Sequence, residues 1–177
     1  MTNDYFSHVE TWRIPETCIA DSLSEIAIDG RCGNEGIVLW LGRDEDDVAE
    51  VTHLIRLRGP LVERRPDFIN IHASLLNDVI DAGIEHNARL IGQVHSHGPG
   101  YSLGLSPTDR EYGIKAPSYL SLVAPAYGKA DAAPHSWGVH VCADGTKYIR
   151  LTPDEARRRL QLVPGPHLPV LTIGGQL

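Results

Sequence analysis

At 177 residues the chain is long enough to bury one sizeable core, and its 42% hydrophobic and 22% charged content is ordinary for a globular protein. A net charge of −7 argues against nucleic acid as the principal partner. The three cysteines, Cys18, Cys32 and Cys142, form no Cys-x-x-Cys pair, which argues against a disulfide framework or zinc knuckle and for reduced thiols, with Cys32 read as a small buried one. The N-terminus, Met1 to Tyr5, lacks a basic region followed by an apolar stretch. No segment approaches membrane-span length, so a cytoplasmic protein without a membrane partner is expected.

In chain order, Ile19 to Ile28 has helical spacing, with Asp21 or Ser22 near its start. Glu35-Gly-Ile-Val-Leu-Trp-Leu-Gly42, an apolar run bounded by glycines, reads as a buried central strand. A solvated acidic turn, Arg43 to Asp47, joins it to a second strand, Val48 to Arg58. Gly59 to Asp67 is a charged, proline-bounded loop, and Phe68 to Ile71 a short strand. Ala73 to Asn87 is the clearest helix, with Leu75, Leu76, Val79, Ile80 and Ile84 forming a core-facing stripe. Arg89 to His95, Ser118 to Ala124, Ser136 to Ala143 and Lys147 to Leu151 are predicted strands, the last two joined at Asp144-Gly145. Thr152-Pro-Asp-Glu155 is a capping box that starts a helix to about Leu162, making Arg157-Arg158-Arg159 a wet helical face. The chain divides into a domain over 1–162 and a Pro/Gly-rich tail over 163–177, read as flexible, Gly174-Gly175 included.

The chemistry concentrates in His95-Ser-His97 and Ser106-Pro-Thr-Asp109. On a strand, side chains two apart share a face, so His95 and His97 project together. A Gly/Pro-rich reversal, Gly98 to Leu105, brings Asp109 back over the same spot. Donors of N, N and O type leave one position of a tetrahedral zinc open, as catalytic sites require. Ser106-Pro-Thr-Asp109 is also a good helix start by itself, and the two readings are compatible. A hydrolytic zinc site needs a general base. Among the glutamates, Glu35 stands apart, at the mouth of a buried strand behind the Gly33-Asn34 turn. The other histidines (His8, His53, His72, His86, His135, His140 and His167) lack paired spacing and read as structural or exposed, and Trp40 and Trp137 as packing.

Glu35, His95-x-His97 and Ser106-x-x-Asp109 together resemble the JAMM signature of the JAB/MPN metalloprotease domains, over roughly residues 16 to 152. The loop between His97 and Ser106 holds eight residues, one more than the family's common form, and Gly98 precedes Pro99. The resemblance implies an α/β (α+β) fold with a single MPN/JAB-like domain, a mixed central sheet flanked by helices and a deaminase-like architecture. It implies one catalytic Zn2+ held by His95, His97 and Asp109, with Glu35 moving the attacking water's proton and Ser106 steadying the oxyanion. The implied activity is hydrolysis of the peptide or isopeptide bond after the C-terminus of a ubiquitin or ubiquitin-like protein. Substrate partners would then be such proteins or their conjugates, together with activating or conjugating enzymes of the same pathway, as in bacterial antiviral systems. Processing of a sulfur-carrier protein and a non-catalytic docking module are the alternatives. Other His-x-His enzymes fit less well: amidohydrolase barrels need a longer chain, and the Asp-His of metallo-β-lactamases and the glutamate of cupins are missing.

Overall fold

A computed structural model of the chain describes residues 9–175. The expectations for Met1 to Tyr5, for His8 and for the last two residues of the tail concern positions outside the described residues. Strand β1 (Thr11–Pro15) leads into helix α1 (Glu16–Gly30). Strands β2 (Ile37–Glu45) and β3 (Val48–Leu57) form a hairpin, followed by a smaller hairpin of β4 (Val62–Arg65) and β5 (Phe68–Ile71). Helix α2 (Ala73–Glu85) feeds β6 (Arg89–Ser96), and the short α3 (Pro107–Tyr112) crosses over to β7 (Tyr119–Ala124). Strands β8 (Gly138–Cys142) and β9 (Tyr148–Arg150), helix α4 (Pro153–Arg159), and strands β10 (Leu160–Val163) and β11 (Val170–Ile173) complete the chain.

Among the described residues, nine strands form one mixed sheet in the order β10-β1-β3-β2-β6-β7-β8-β9. Strand β11 shares the β1 edge of β3, with β1 beside Val48–Glu50 and β11 beside Leu54–Leu57. The β3-β2-β6 block is antiparallel, whereas β6 and β7 are parallel. A parallel pair needs a crossover connection, and the segment between β6 and β7 contains α3. The fold is α+β, a mixed sheet flanked by helices.

Alternation along β2 divides the core. Val38 and Trp40 pack with Ile19, Leu23 and Ile26 of α1, while Ile37, Leu39 and Leu41 pack with Leu75 and Val79 of α2. The sheet is therefore covered on both faces at its centre, which is why β2 reads as a continuous apolar run. Trp40 Nε1 donates to Ser22 Oγ at 3.0 Å, so the buried indole keeps its polar partner. A register shift opposite Trp40/Leu41 leaves Ile91 of β6 as an extra residue. That bulge puts Leu90, Gln93 and His95 on one face, opposite Leu41, Leu39 and Ile37. Among the described residues, no helix is long and apolar enough to cross a membrane.

Several expectations are corrected. The acidic turn is tighter than expected, because β2 continues to Glu45. Helix α1 begins at Glu16, a turn early, behind Pro15 and without a side-chain cap. Within Gly59 to Asp67, residues 62–65 pair with β5 as a strand. Helix α4 stops at Arg159, and Arg159 is no wet residue, since its guanidinium lies 4.9 Å over the buried Trp12 ring. The C-terminal segment is not a loose tail: β10 pairs with β1, β11 pairs with β3, and Gly174 and Gly175 pack on Arg58 and Gly59. Cys32 is exposed, because the chain turns at residues 31–33 instead of burying it. On α2, the 75-79-83 ridge faces the sheet, while Ile80 and Ile84, one ridge over, are 52% and 72% exposed.

Glu25 on α1 ties the end of β3 down, pairing with Arg56 and, at 2.7 Å, with Arg58. Burial pushes its carboxyl up, but the two guanidinia outweigh burial and hold it below the usual 4.5. A carboxyl lowered in the fold stabilises above its unfolded pKa and loses that contribution as pH falls through the folded value. Glu25→Gln should therefore cost roughly 1 kcal/mol at neutral pH, a small value because both arginines remain about a third exposed. Urea midpoints of the two chains should converge below about pH 4.5.

Candidate metal centre

The site forms where β6 ends and β2 begins, at the junction between antiparallel and parallel halves of the sheet. His95 is the penultimate residue of β6, paired opposite Ile37, and His97 follows the strand, its N–H donating to Ala124 O at 3.0 Å. The two rings lie 5.2 Å apart between centroids, inclined at 63°. Ser96 points the other way and accepts from Gly36 N at 3.0 Å, while its own N–H donates to Gly36 O at 3.0 Å. This clamp fixes the backbone next to Glu35 against the histidine strand. Gly36 is a close approach: a Cβ there would stand 2.9 Å from the Ile26 backbone of α1.

Asp109 enters from α3. Ser106 caps that helix, its Oγ accepting from Asp109 N at 3.1 Å while Ser106 N donates to Asp109 Oδ2 at 2.7 Å. The reciprocal capping box presents Asp109 Oδ2 to the histidines, 3.7 Å from His95 Nε2 and 3.4 Å from His97 Nε2. Ligand atoms from His95, His97 and Asp109 all lie within 4.8 Å of one another. Partial burial pushes the Asp109 carboxyl up, but the two imidazoles and Ser106 hold it well below the usual carboxylate range. Burial works against a charge on His97, while Asp109, the Ser102 carbonyl and Glu35 together raise its pKa above 6.5.

These residues fit a divalent cation. His95 Nε2 is buried and has no hydrogen-bond partner, the signature of a lone pair aimed at a ligand. His97 Nδ1–H donates to Ser102 O at 2.6 Å, which leaves its Nε2 lone pair facing Asp109. An N, N, O donor set suits zinc with a position left open.

Glu35 is 5% exposed, and its N–H donates to Arg65 O at 2.9 Å. Burial pushes its carboxyl up to about 8, Asp109 and Asp67 add to the rise, and only His97 opposes it. Glu35 thus shares an electrostatic environment with the His97 and Asp109 end of the triad. Ser106 is half-buried, and since its oxygen accepts the capping bond, its own proton stays free to donate.

Three contributors escape motif reading. Gln93 lies beneath His95, its amide nitrogen 3.2 Å from His95 Nδ1 and 3.3 Å from Ser121 Oγ, with Tyr119 Oη donating to its oxygen at 3.1 Å. The period of two from Gln93 to His95 is the one signal that points to it. Ser96 is the second, and Tyr127 the third: its N–H donates to His97 O at 2.8 Å and its hydroxyl to Pro66 O at 3.0 Å, bridging the histidine segment and the small hairpin. Of the remaining histidines, His140 is buried, and burial together with Arg150 pushes it down to about 4, so it stays neutral.

A metal ion held by His95 Nε2 would require the ring proton on Nδ1, and that proton needs an acceptor. Turning the Gln93 amide over supplies one, its oxygen facing His95 and its nitrogen Tyr119. Gln93→Leu should accordingly lower zinc affinity about 10- to 100-fold, and Gln93→Glu should restore most of it, as read by competition with a chromogenic chelator.

No family model and no curated protein matches this chain. Among solved structures, it is similar to protein DSY2949 from Desulfitobacterium hafniense, a solution structure. The match has a TM-score of 0.59 and 14% identity over 88% of this chain and 94% of that one. At that identity the likeness concerns the fold alone.

Proposed function

We propose that the protein is a zinc-dependent peptidase or isopeptidase of JAB/MPN type, with that family's deaminase-like architecture. Its substrate would be the amide bond after the C-terminus of a ubiquitin or ubiquitin-like protein in the cytoplasm. One observation carries the reading: the unpartnered Nε2 of buried His95 converges with His97 and Asp109 where buried Glu35 feels the charges of His97 and Asp109. Bound zinc would supply Lewis acidity and lower the pKa of the attacking water toward about 7.

His95, His97 and Asp109 hold the ion in this scheme. Glu35 takes the proton of the attacking water and returns it to the departing amine, a transfer that a carboxyl with a raised pKa performs near neutral pH. Ser106 donates its free hydroxyl proton to the substrate oxygen that gains negative charge. The capping box keeps Asp109 ionised and in place while this occurs.

The test is zinc content together with chelator-sensitive cleavage of a panel of ubiquitin-like and sulfur-carrier fusions. About one zinc per chain with cleavage of a ubiquitin-like fusion supports the proposal. Cleavage confined to the sulfur-carrier fusion moves the substrate assignment, and zinc without any cleavage points to a small amide. Absence of metal uptake would favour the docking module.

A further inference from the structure

Gly98 stands directly after His97, where nothing in the metal chemistry calls for a glycine. Its neighbour in space explains it. A Cβ at Gly98 would stand 2.9 Å from the Tyr127 hydroxyl and 3.0 Å from the ring carbon that carries it. The missing side chain is the seat of that phenol. Tyr127 itself lies in the left-handed region, at φ 55° and ψ 37°, after Ala126 at φ 52°. Non-glycine residues persist at such angles where the surrounding structure over-determines them. Here the Tyr127 N–H donates to His97 O at 2.8 Å, and its hydroxyl donates to Pro66 O at 3.0 Å. Desolvation, and then Glu35, Tyr101 and Asp67 nearby, raise the Tyr127 pKa above the usual 10, so the hydroxyl keeps the proton it donates.

Pro66 follows Arg65, whose carbonyl accepts from Glu35 N at 2.9 Å. Tyr127 therefore spans from the backbone of His97 to the hairpin tip that holds the backbone of Glu35. The body of the hairpin has other ties, from Arg64 to Asp29 and to Leu57 O, both at 2.9 Å. Those lead to α1 and β3, whereas the tie to the histidine segment runs through Tyr127.

A general base acts only within hydrogen-bond reach of its proton, and a misplacement of about 1 Å can cost about 10²-fold in rate. Resting on the zinc-peptidase reading, we propose that Tyr127 is a positioning residue for Glu35. Its hydroxyl fixes the hairpin tip, the tip fixes the Glu35 backbone, and the acid is thereby held in place relative to His97.

Hydrogen exchange at single amides of the metal-free full chain reads the first half without turnover. Tyr127→Phe keeps the ring and deletes the bond to Pro66. Protection of the Glu35 amide should fall about 2- to 10-fold, the range that one hydrogen bond carries. The Gly36 and Ser96 amides, bonded to Ser96 Oγ and Gly36 O, should keep theirs. Gly98→Ala, which pushes the hydroxyl off its seat, should repeat the pattern with Tyr127 intact. The second half is read in the zinc-loaded chain on a ubiquitin-like fusion that the wild type cleaves. There Tyr127→Phe should lower kcat on the order of 10-fold, with KM and zinc affinity unchanged. In the Glu35→Gln chain the same change should lower kcat no further. Unchanged protection at Glu35, an equal loss at all three amides, or an unchanged kcat overturns the positioning role and leaves the metal site standing. A wild-type chain that takes up no zinc, or cleaves no fusion, overturns the peptidase reading and this proposal with it.

Discussion

Glu35→Gln should leave zinc in place and lower hydrolysis by roughly 10²- to 10⁴-fold, the range that one positioned acid–base group contributes. The carboxyl is buried and is not one of the converging ligand atoms, so an isosteric amide removes proton transfer without removing a donor. The same substitution carries a stability signature of opposite sign. In the metal-free chain, burial and the nearby Asp109 and Asp67 raise the Glu35 carboxyl from 4.5 to about 8. Between those values the folded chain binds more protons than the unfolded chain, so stability falls as pH rises through the window. Glutamine has no proton to lose and escapes this penalty. Metal-free Glu35→Gln should therefore be more stable than wild type at about pH 8, by on the order of 1–3 kcal/mol, and should match it near pH 4. A nearby dication favours the carboxylate and should narrow the difference once zinc is added. Full hydrolytic activity in the Glu35→Gln chain would refute the assignment.

The convergence of His95, His97 and Asp109 is legible in the sequence because short-range rules place these side chains. Strand alternation puts His95 and His97 on one side, and the Ser106 capping box orients Asp109 from three residues away. Glu35 is legible through its neighbours, although β2 begins at Ile37 and the acid precedes the strand instead of opening it. What the sequence hides depends on distant partners. Strands β10 and β11 have four residues each, too short for a period, and exist because Trp12–Pro15 and Leu54–Leu57 lie open to pair with them. Gln93 reads as an ordinary strand polar until Tyr119 and Ser121 of β7 are seen on the other side of its amide. The α2 stripe misleads in the reverse sense: helical period marks apolar residues, but the sheet beneath takes only the ridge that includes Leu75 and Val79. The cavity beside His95 and Asp109 is likewise a tertiary object, lined from β5, α2 and the segment after α3, which no local pattern links.

His97→Ala should remove zinc binding and activity together. The change deletes the Nε2 donor 3.4 Å from Asp109 Oδ2, leaving one imidazole and one carboxylate. It also cuts the 2.6 Å bond to Ser102 O, one hold on the loop between the histidines and α3. Loss of a donor should weaken zinc by more than the 10- to 100-fold expected from losing a supporting group, so affinity should fall in the order wild type, Gln93→Leu, His97→Ala. The order is diagnostic, because general damage to the fold would not grade by distance from the ion. Thermal unfolding supplies the second readout. A ligand at 100 times its Kd stabilises the folded state by about 2.7 kcal/mol, so added zinc should raise the wild-type melting temperature by several degrees. The His97→Ala chain should show no such rise, while His140→Ala, lacking a neutral histidine outside the triad, should keep it. A His97→Ala chain that still gains stability from zinc would place the ion elsewhere and remove the basis for reading this cleft as a hydrolytic centre.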